Sequence, residues 1–301
     1  MATRSLRHDL ATPMRRVAAE IDKLLEALLP LPDEASRPLF EAMRYAAIGG
    51  GKRMRPLLVV ASGHLFGLSA RQALRAGAAV ECVHVQSLIH DDLPCMDDDD
   101  LRRGRPTLHR AFDEATAVLA GDSLMALAFE LLSAPETHPD PAVRAELVYE
   151  LARASGAAGM AGGQMLDLCA GEAELDLDGV TRLQRLKTGA LIGWSVEAGA
   201  IMGGAGPDDR TRLRGYAQCL GLAFQIADDL LDATGNEAKV GKKLAKDLDQ
   251  GKRSFVTLIG VDRARRQADF LAEQAIEHLR PFGERAAVLN AVARFAVDRD
   301  H

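Results

Sequence analysis

Two clusters of aspartates carry the strongest chemical signal in the sequence. The first reads Asp91, Asp92, Leu93, Pro94, Cys95, Met96, Asp97 and runs on through Asp98, Asp99 and Asp100. The second reads Asp228, Asp229, Leu230, Leu231, Asp232. Asp228 and Asp232 stand four apart, so on a helix both carboxylates leave one face. In the first cluster Pro94 interrupts any helix, which lets Asp97 curl back toward Asp91. Carboxylates this close repel, and ending two apolar helices with them is costly without cations. Hard divalent ions, Mg²⁺ above all, favour such oxygens and leave room for phosphate oxygens. Neither cluster has the His/Cys spacing of a zinc site. The spacing predicts that the clusters face each other across a cavity and clamp a diphosphate through several Mg²⁺ ions. For Asp98 to Asp100 a solvated loop competes with that reading. For two clusters that each close an apolar helix, coincidence explains little.

Basic residues stand where a diphosphate would need them. Gly49-Gly50-Gly51-Lys52-Arg53-Met54-Arg55-Pro56 joins a glycine turn to three cations. It is not a P-loop, because Ala46 occupies the first glycine position and Arg53 replaces Ser/Thr. Backbone N–H groups can still approach an anion there, and the cations supply charge-assisted bonds. Arg102, Arg103 and Arg105 follow the first aspartate run, and Lys187-Thr188, Lys242 and Lys252 add further cations. Each is individually a weak signal and reads equally well as a solvated or salt-bridged surface. His84 lies two helical turns before Asp91, hence on nearly the same face. A different chemistry fits part of the pattern: His90-Asp91, with His64, His84 and His109, could be the metal site of a phosphohydrolase. That reading leaves the second aspartate cluster unexplained.

The elements that must hold these groups read as helices. The 301 residues are 48% hydrophobic but only 4% aromatic, and Ala, Leu, Arg and Glu recur, a composition that favours helix over sheet. Residues 73–90 and 216–231 are apolar nearly all round, as helices at the middle of a large bundle are, and each ends in one aspartate cluster. Candidate breaks are Pro30 to Pro32, Gly49 to Gly51, Pro94, Pro135 to Pro141, Gly171 to Gly179, Gly203 to Pro207 and Gly235. None is long enough for an inter-domain linker, so one all-α domain over residues 1–301 is expected. No uncharged apolar stretch reaches the length of a membrane span, and the N-terminus lacks the apolar core of a secretory signal. The four cysteines are scattered without a CxxC pair and read as reduced thiols, which points to a cytoplasmic protein. A net charge of -6 with no basic stripe argues against nucleic acid as a partner.

Taken together, the segments resemble the short-chain trans-polyprenyl diphosphate synthases, the farnesyl and geranylgeranyl diphosphate synthase family. The matching text is GGGKRMRP at 49–56, ECVHVQSLIHDDLPCMDDDDLRRGRPT at 81–107, LAGDSL at 119–124, GMAGGQMLDL at 159–168, KTGALI at 187–192, GLAFQIADDLLD at 221–232 and GKKLAKDLDQGKRSF at 241–255. The resemblance implies a helical bundle around a deep central cavity, of the isoprenoid synthase type, and a homodimer. It implies that Asp91, Asp92, Asp97 and Asp228 bind Mg²⁺, with Asp232 nearby through water. Gly51, Lys52, Arg55, His84 and Arg103 would hold isopentenyl diphosphate. Arg102, Lys187, Lys242 and Lys252 would hold the allylic diphosphate, and Thr188 and Gln225 would face the reacting carbons.

In such an enzyme the growing chain would descend along the helix before the first aspartate cluster. Gln86 and Ser87 lie about one turn, 5.4 Å, below Asp91. Aromatic residues at that depth are typical of relatives that stop at fifteen carbons. Neither residue is aromatic, so a twenty-carbon product is expected, with fifteen carbons the close alternative. A terpene cyclase would share the first cluster but usually mixes Asn, Ser or Thr with Glu in the second, and would not need cations for a second diphosphate. A non-catalytic partner subunit would be expected to have lost metal ligands.

Overall fold

The straight-chain and alanine-rich composition is carried through into helices in the computed structural model, which describes residues 2–170, 175–234 and 253–298. The helices are α1 (Ala2–Leu28), α2 (Arg37–Ala47), α3 (Met54–Leu65), α4 (Ala70–Asp91), α5 (Leu108–Ala111), α6 (Glu114–Ser133), α7 (Pro141–Ser155), α8 (Met160–Cys169), α9 (Leu177–Gln184), α10 (Ala190–Met202), α11 (Pro207–Thr234), α12 (Phe255–Ile259), α13 (Val261–Leu279) and α14 (Ala287–Val297). A π-helical turn, Arg185–Gly189, joins α9 to α10 without a break, and a 3₁₀ stretch, Arg280–Ala286, joins α13 to α14. The fold class is all-α, as the composition implies. Both helices expected to end in aspartates are present: 73–90 lies within α4 and 216–231 within α11.

The middle of the bundle is α3, α4, α10 and α11. α10 buries ten of its residues, among them Leu191, Trp194, Val196 and Ile201, and packs on α3, α7, α11 and α4. A side chain at Gly199 would stand 2.3 Å from the backbone nitrogen of Gly63 and 2.7 Å from the carbonyl oxygen of Val59, so α3 and α10 cross at backbone contact. Buried aromatic groups keep their polar ends satisfied: Trp194 Nε1 donates to the carbonyl of Leu147 at 3.2 Å, and the Tyr216 hydroxyl to that of Leu289 at 2.8 Å. α6 is long and apolar enough to cross a bilayer by length and composition alone. It carries Asp122 at mid-length and packs one face along α4, α2 and α7 within the bundle.

The sequence signals for Gly49–Gly51, Pro94 and Gly203–Pro207 coincide with helix ends. The only strands among the described residues, Leu101–Arg102 and Arg105–Pro106, form a small hairpin. Its two-residue turn, Arg103 at φ 54° and Gly104 at φ 74°, has the positive φ pair that matches the twist of a tight hairpin. That hairpin aims Arg102 and Arg103.

Candidate active site

The first aspartate cluster is built by the end of α4. The helix stops at Asp91, and the chain turns back so that the Asp97 N–H donates to the Asp91 carbonyl at 2.8 Å. Asp91 and Asp97 are therefore neighbours, as the position of Pro94 predicts. Burial pushes the Asp91 carboxyl up to about 6; Lys187 opposes the shift and Asp97 adds to it. Asp92 is only 3% exposed and is gripped by Arg102, whose Nε lies 2.8 Å from both carboxylate oxygens. Its carboxyl is still raised, because desolvation outweighs the Arg102 hydrogen bond. Asp98 and Asp100 are exposed and pair with Arg110, the solvated-loop arrangement that competed for them.

A cavity of about 380 Å³ opens beneath this cluster, walled by α4 on one side and by α8 with the π turn on the other. Arg55, His84, Gln86, Ser87, Asp91, Lys187 and Thr188, all picked out from sequence, line it together. Met96, Met160, Met165 and Leu168 give it an apolar lining. Arg55 Nε, Gln86 Oε1 and both polar side-chain atoms of Gln164 are buried at this cavity without a protein partner. Such atoms cost about 1–3 kcal/mol each, so their concentration in one place marks where a polar ligand belongs.

Several cations crowd the His84 side of the cavity. The His84 imidazole is held well below its ordinary value, first by burial and then by Arg55, Arg103, Arg102 and Arg53, so it is a neutral N–H donor. Burial, with Arg103 adding to it, also lowers Arg55, although Glu81 opposes. An anion here would relieve that repulsion. Arg103 lies against the glycine turn, where a side chain on Gly51 would come within 2.6 Å of its guanidinium. With Gly51, Asp92 and Arg102 it lines a second pocket of about 220 Å³ behind that turn. The three-cation reading of residues 52–55 needs one correction. Arg53 is 2% exposed and turned inward, pairing with Glu81 at 2.7 Å and Asp22 at 2.6 Å. It braces α1, the start of α3 and α4 and is unavailable to a ligand. Lys52 is exposed and sits 5.5 Å above the Phe295 ring.

The second cluster lies on the half-buried side of α11. The Asp229 carboxylate caps α12 by accepting the Phe255 N–H at 2.8 Å. α11 meets the π turn where a side chain on Gly221 would lie 3.3 Å from the Cα of Gly189, and Gln225, Asp228 and Asp232 follow along the helix. None of these three lines the cavity beneath Asp91. Among the described residues no three His, Cys, Asp or Glu side chains converge as a closed metal cage. Mg²⁺ does not ask for one, since it keeps several waters and takes one or two carboxylates beside phosphate oxygens. The donor chemistry, oxygen only and beside anion-seeking cations, fits that ion. Lys242 and Lys252 lie outside the described residues.

What the sequence reading missed is how Lys187 is held. Its ammonium pairs with Asp167 Oδ2 at 2.7 Å, and its backbone rests on Gly163, one turn earlier on α8. A Cβ at 163 would stand 2.1 Å from the Lys187 nitrogen. The signal was present as a glycine and an aspartate four apart in GMAGGQMLDL, one face of one helix.

A family model described as polyprenyl synthetase matches residues 36–293. A farnesyl diphosphate synthase of Escherichia coli is 46% identical over 282 residues, covering 91% of this chain and 93% of that protein. A chloroplastic geranylgeranyl pyrophosphate synthase of Arabidopsis thaliana is 43% identical, covering 97% of this chain and 82% of its own. The crystal structure of an FPP/GFPP synthase from Zymomonas mobilis superposes with a TM-score of 0.89 at 55% identity, over 96% of this chain and 99% of that one.

Proposed function

The chain belongs to the polyprenyl synthetase family, and from that premise we propose that it is a short-chain trans-prenyltransferase that joins isopentenyl diphosphate to an allylic diphosphate with the help of Mg²⁺. The observation that carries the reading is the cavity itself. One carboxylate cluster, a lysine held by a second helix, buried arginine and histidine donors and an apolar lining meet in one enclosure.

Asp91 and Asp97, with Asp228 and Asp232 from α11, are the oxygens proposed to hold Mg²⁺, and Asp92 joins them by sharing or releasing Arg102. The bound ions would neutralise charge on the departing diphosphate. Lys187 and Arg102 stabilise the same charge from the protein side. Arg55, Arg103 and neutral His84, beside the Gly51 turn and Lys52, orient isopentenyl diphosphate. Lys242 and Lys252 are assigned to the allylic diphosphate on resemblance alone. As the allylic C–O bond breaks, the carbonyl oxygens near Lys187 and Thr188, with the Gln225 amide, stabilise the delocalised cation without trapping it. The double bond of isopentenyl diphosphate then attacks, and a proton is lost to the released diphosphate. Met160, buried, and Met96 place apolar surface beside the cation.

A twenty-carbon product is proposed because Gln86 and Ser87 leave the deep end of the cavity without an aromatic stop. The similarity to the Escherichia coli farnesyl diphosphate synthase favours fifteen carbons as the second reading. A homodimer is proposed on α6, where Val118 and Leu119 are exposed large apolar side chains. A cytoplasmic setting suits Cys95 and Cys169, free thiols that face solvent. The test is to incubate the protein with labelled isopentenyl diphosphate and dimethylallyl, geranyl or farnesyl diphosphate, then size the dephosphorylated prenols by mass spectrometry. Elongated prenols support the reading. Inorganic phosphate alone, a cyclised hydrocarbon, or no reaction with any primer would replace it with a hydrolase, a cyclase or a non-catalytic subunit.

A further inference from the structure

His90 stands one residue before the aspartate cluster and has no part in the chemistry above, yet it lines the cavity beside Gln86 and Ser87. Its ring is tied at both nitrogens. Nε2 lies 3.3 Å from the carbonyl oxygen of Val118 on α6, and Nδ1 lies 2.9 Å from Gln86 Nε2. A carbonyl can only accept, so the ring proton belongs on Nε2, and Nδ1 accepts from the Gln86 amide. The carboxamide of Gln86 is thereby fixed with its Oε1 buried and without a protein partner. The ring can lean on α6 only because residue 121 is glycine. A Cβ there would lie 2.2 Å from Nε2, 2.7 Å from Cδ2 and 3.0 Å from Cε1.

We propose that His90 is a positioning residue for product length, clamping Gln86 as a polar stop at the deep end of the cavity, and that Gly121 is the clearance on which the clamp depends. The inference rests on the prenyltransferase reading and deepens it. A hydrocarbon chain that grew past Gln86 would have to displace the carboxamide that His90 holds in place, and an apolar tail offers its oxygen no hydrogen bond in return. Freed from His90, the Gln86 side chain can turn aside and the chain can extend. A ring pushed off α6 loses its hold on Gln86 and has the same effect. Cavity depth is then set by three residues on two helices, and the side chains at 86 and 87 do not decide it alone.

The test is the ratio of longer to shorter prenols made in one tube from one primer, read at equal low conversion so that the amount of active enzyme does not set it. His90→Ala is expected to shift the ratio toward longer products by about tenfold, the scale on which a pocket discriminates one small apolar group. His90→Asn, whose Oδ1 can still accept from Gln86, should fall between His90→Ala and the unmodified protein. Gly121→Ala, which pushes the ring off α6 and so releases Gln86, should also shift the ratio toward longer products. In a His90→Ala background the same Gly121→Ala change should do almost nothing, because the ring it collides with is gone. The inference is overturned if both single changes leave the ratio where it was, or if Gly121→Ala acts equally in both backgrounds. Should His90→Ala fail to fold, His90→Asn with and without Gly121→Ala reads the same ratio. If the unmodified protein elongates no primer, the prenyltransferase reading fails instead, so the two failures are distinguishable.

Discussion

Replacing Gly163 with alanine should cost most of the turnover while leaving capture of isopentenyl diphosphate nearly intact. The new Cβ would stand 2.1 Å from the backbone nitrogen of Lys187, 2.5 Å from its Cα and 2.8 Å from the carbonyl carbon of Leu186. Those are backbone atoms that no side-chain rotation can clear. Ordinary contact begins at 3.4 Å, so the π turn must retreat by about 1.3 Å. Lys187 and Thr188 move with it, and the 2.7 Å ion pair to Asp167 is stretched or re-aimed. A misplacement of about 1 Å costs on the order of a hundredfold in rate, or about 2.7 kcal/mol of barrier. Overpacking should also cost about 1–3 kcal/mol of stability. The assay is steady-state kinetics with an allylic primer and isopentenyl diphosphate, run below the melting range. The expectation is a kcat lower by about two orders of magnitude, with the KM for isopentenyl diphosphate little changed, because Arg55, His84 and Arg103 sit on other elements. Gly193→Ala is the control: a Cβ there meets nothing within 4 Å, so activity should be preserved. A folded Gly163→Ala protein with near-normal kcat would refute the argument that α8 positions Lys187. Equal losses at 163 and 193 would refute it too.

Three further outcomes follow from the same geometry. Arg53→Met should destabilise the protein by about 3–5 kcal/mol in urea unfolding, because it strands Glu81, 2% exposed, without its cation. Arg103→Ala should raise the KM for isopentenyl diphosphate by about ten- to a hundredfold, the worth of a charge-assisted hydrogen bond of about 1.5–3 kcal/mol, with a smaller effect on kcat. Mg²⁺ binding should release protons in acid but not near neutrality. The Asp91 carboxyl, pushed up to about 6, is protonated below that pH and must ionise to take the metal, whereas above it the site is already charged. Calorimetry in two buffers of different ionisation enthalpy at pH 5.5 and 7.5 checks the sign.

Sequence alone reveals those parts of the site whose chemistry is local. Paired carboxylates on α4 and α11, the glycine turn at 49–51 and the arginines after Asp100 each announce themselves by residue type and spacing. So do the two helices, because all-round apolar runs of that length have few other solutions. Local sequence does not say which of several neighbouring cations turns inward. Arg53 and Arg55 are two apart and chemically alike, and only the burial of Glu81 decides that Arg53 is structural. The hold of α8 on Lys187 and the contact of His90 with α6 were also hidden. They depend on glycines at 163 and 121 meeting residues far away in sequence. A glycine inside a helical pattern looks locally like a weakness, and its meaning appears only when the neighbouring helix is in place.

The carboxylates at Asp91 and Asp228, on different helices, are proposed to serve one prenyl transfer. The most direct measurement is single-turnover incorporation of labelled isopentenyl carbon into an allylic primer, with Mg²⁺ and with EDTA, by the unmodified protein, Asp91→Asn and Asp228→Asn. Incorporation should vanish with EDTA and fall by at least about a hundredfold in each variant, the scale on which an electrostatic contact to the reacting groups is lost. Incorporation that survives EDTA, or that is indifferent to either substitution in a folded protein, would contradict it.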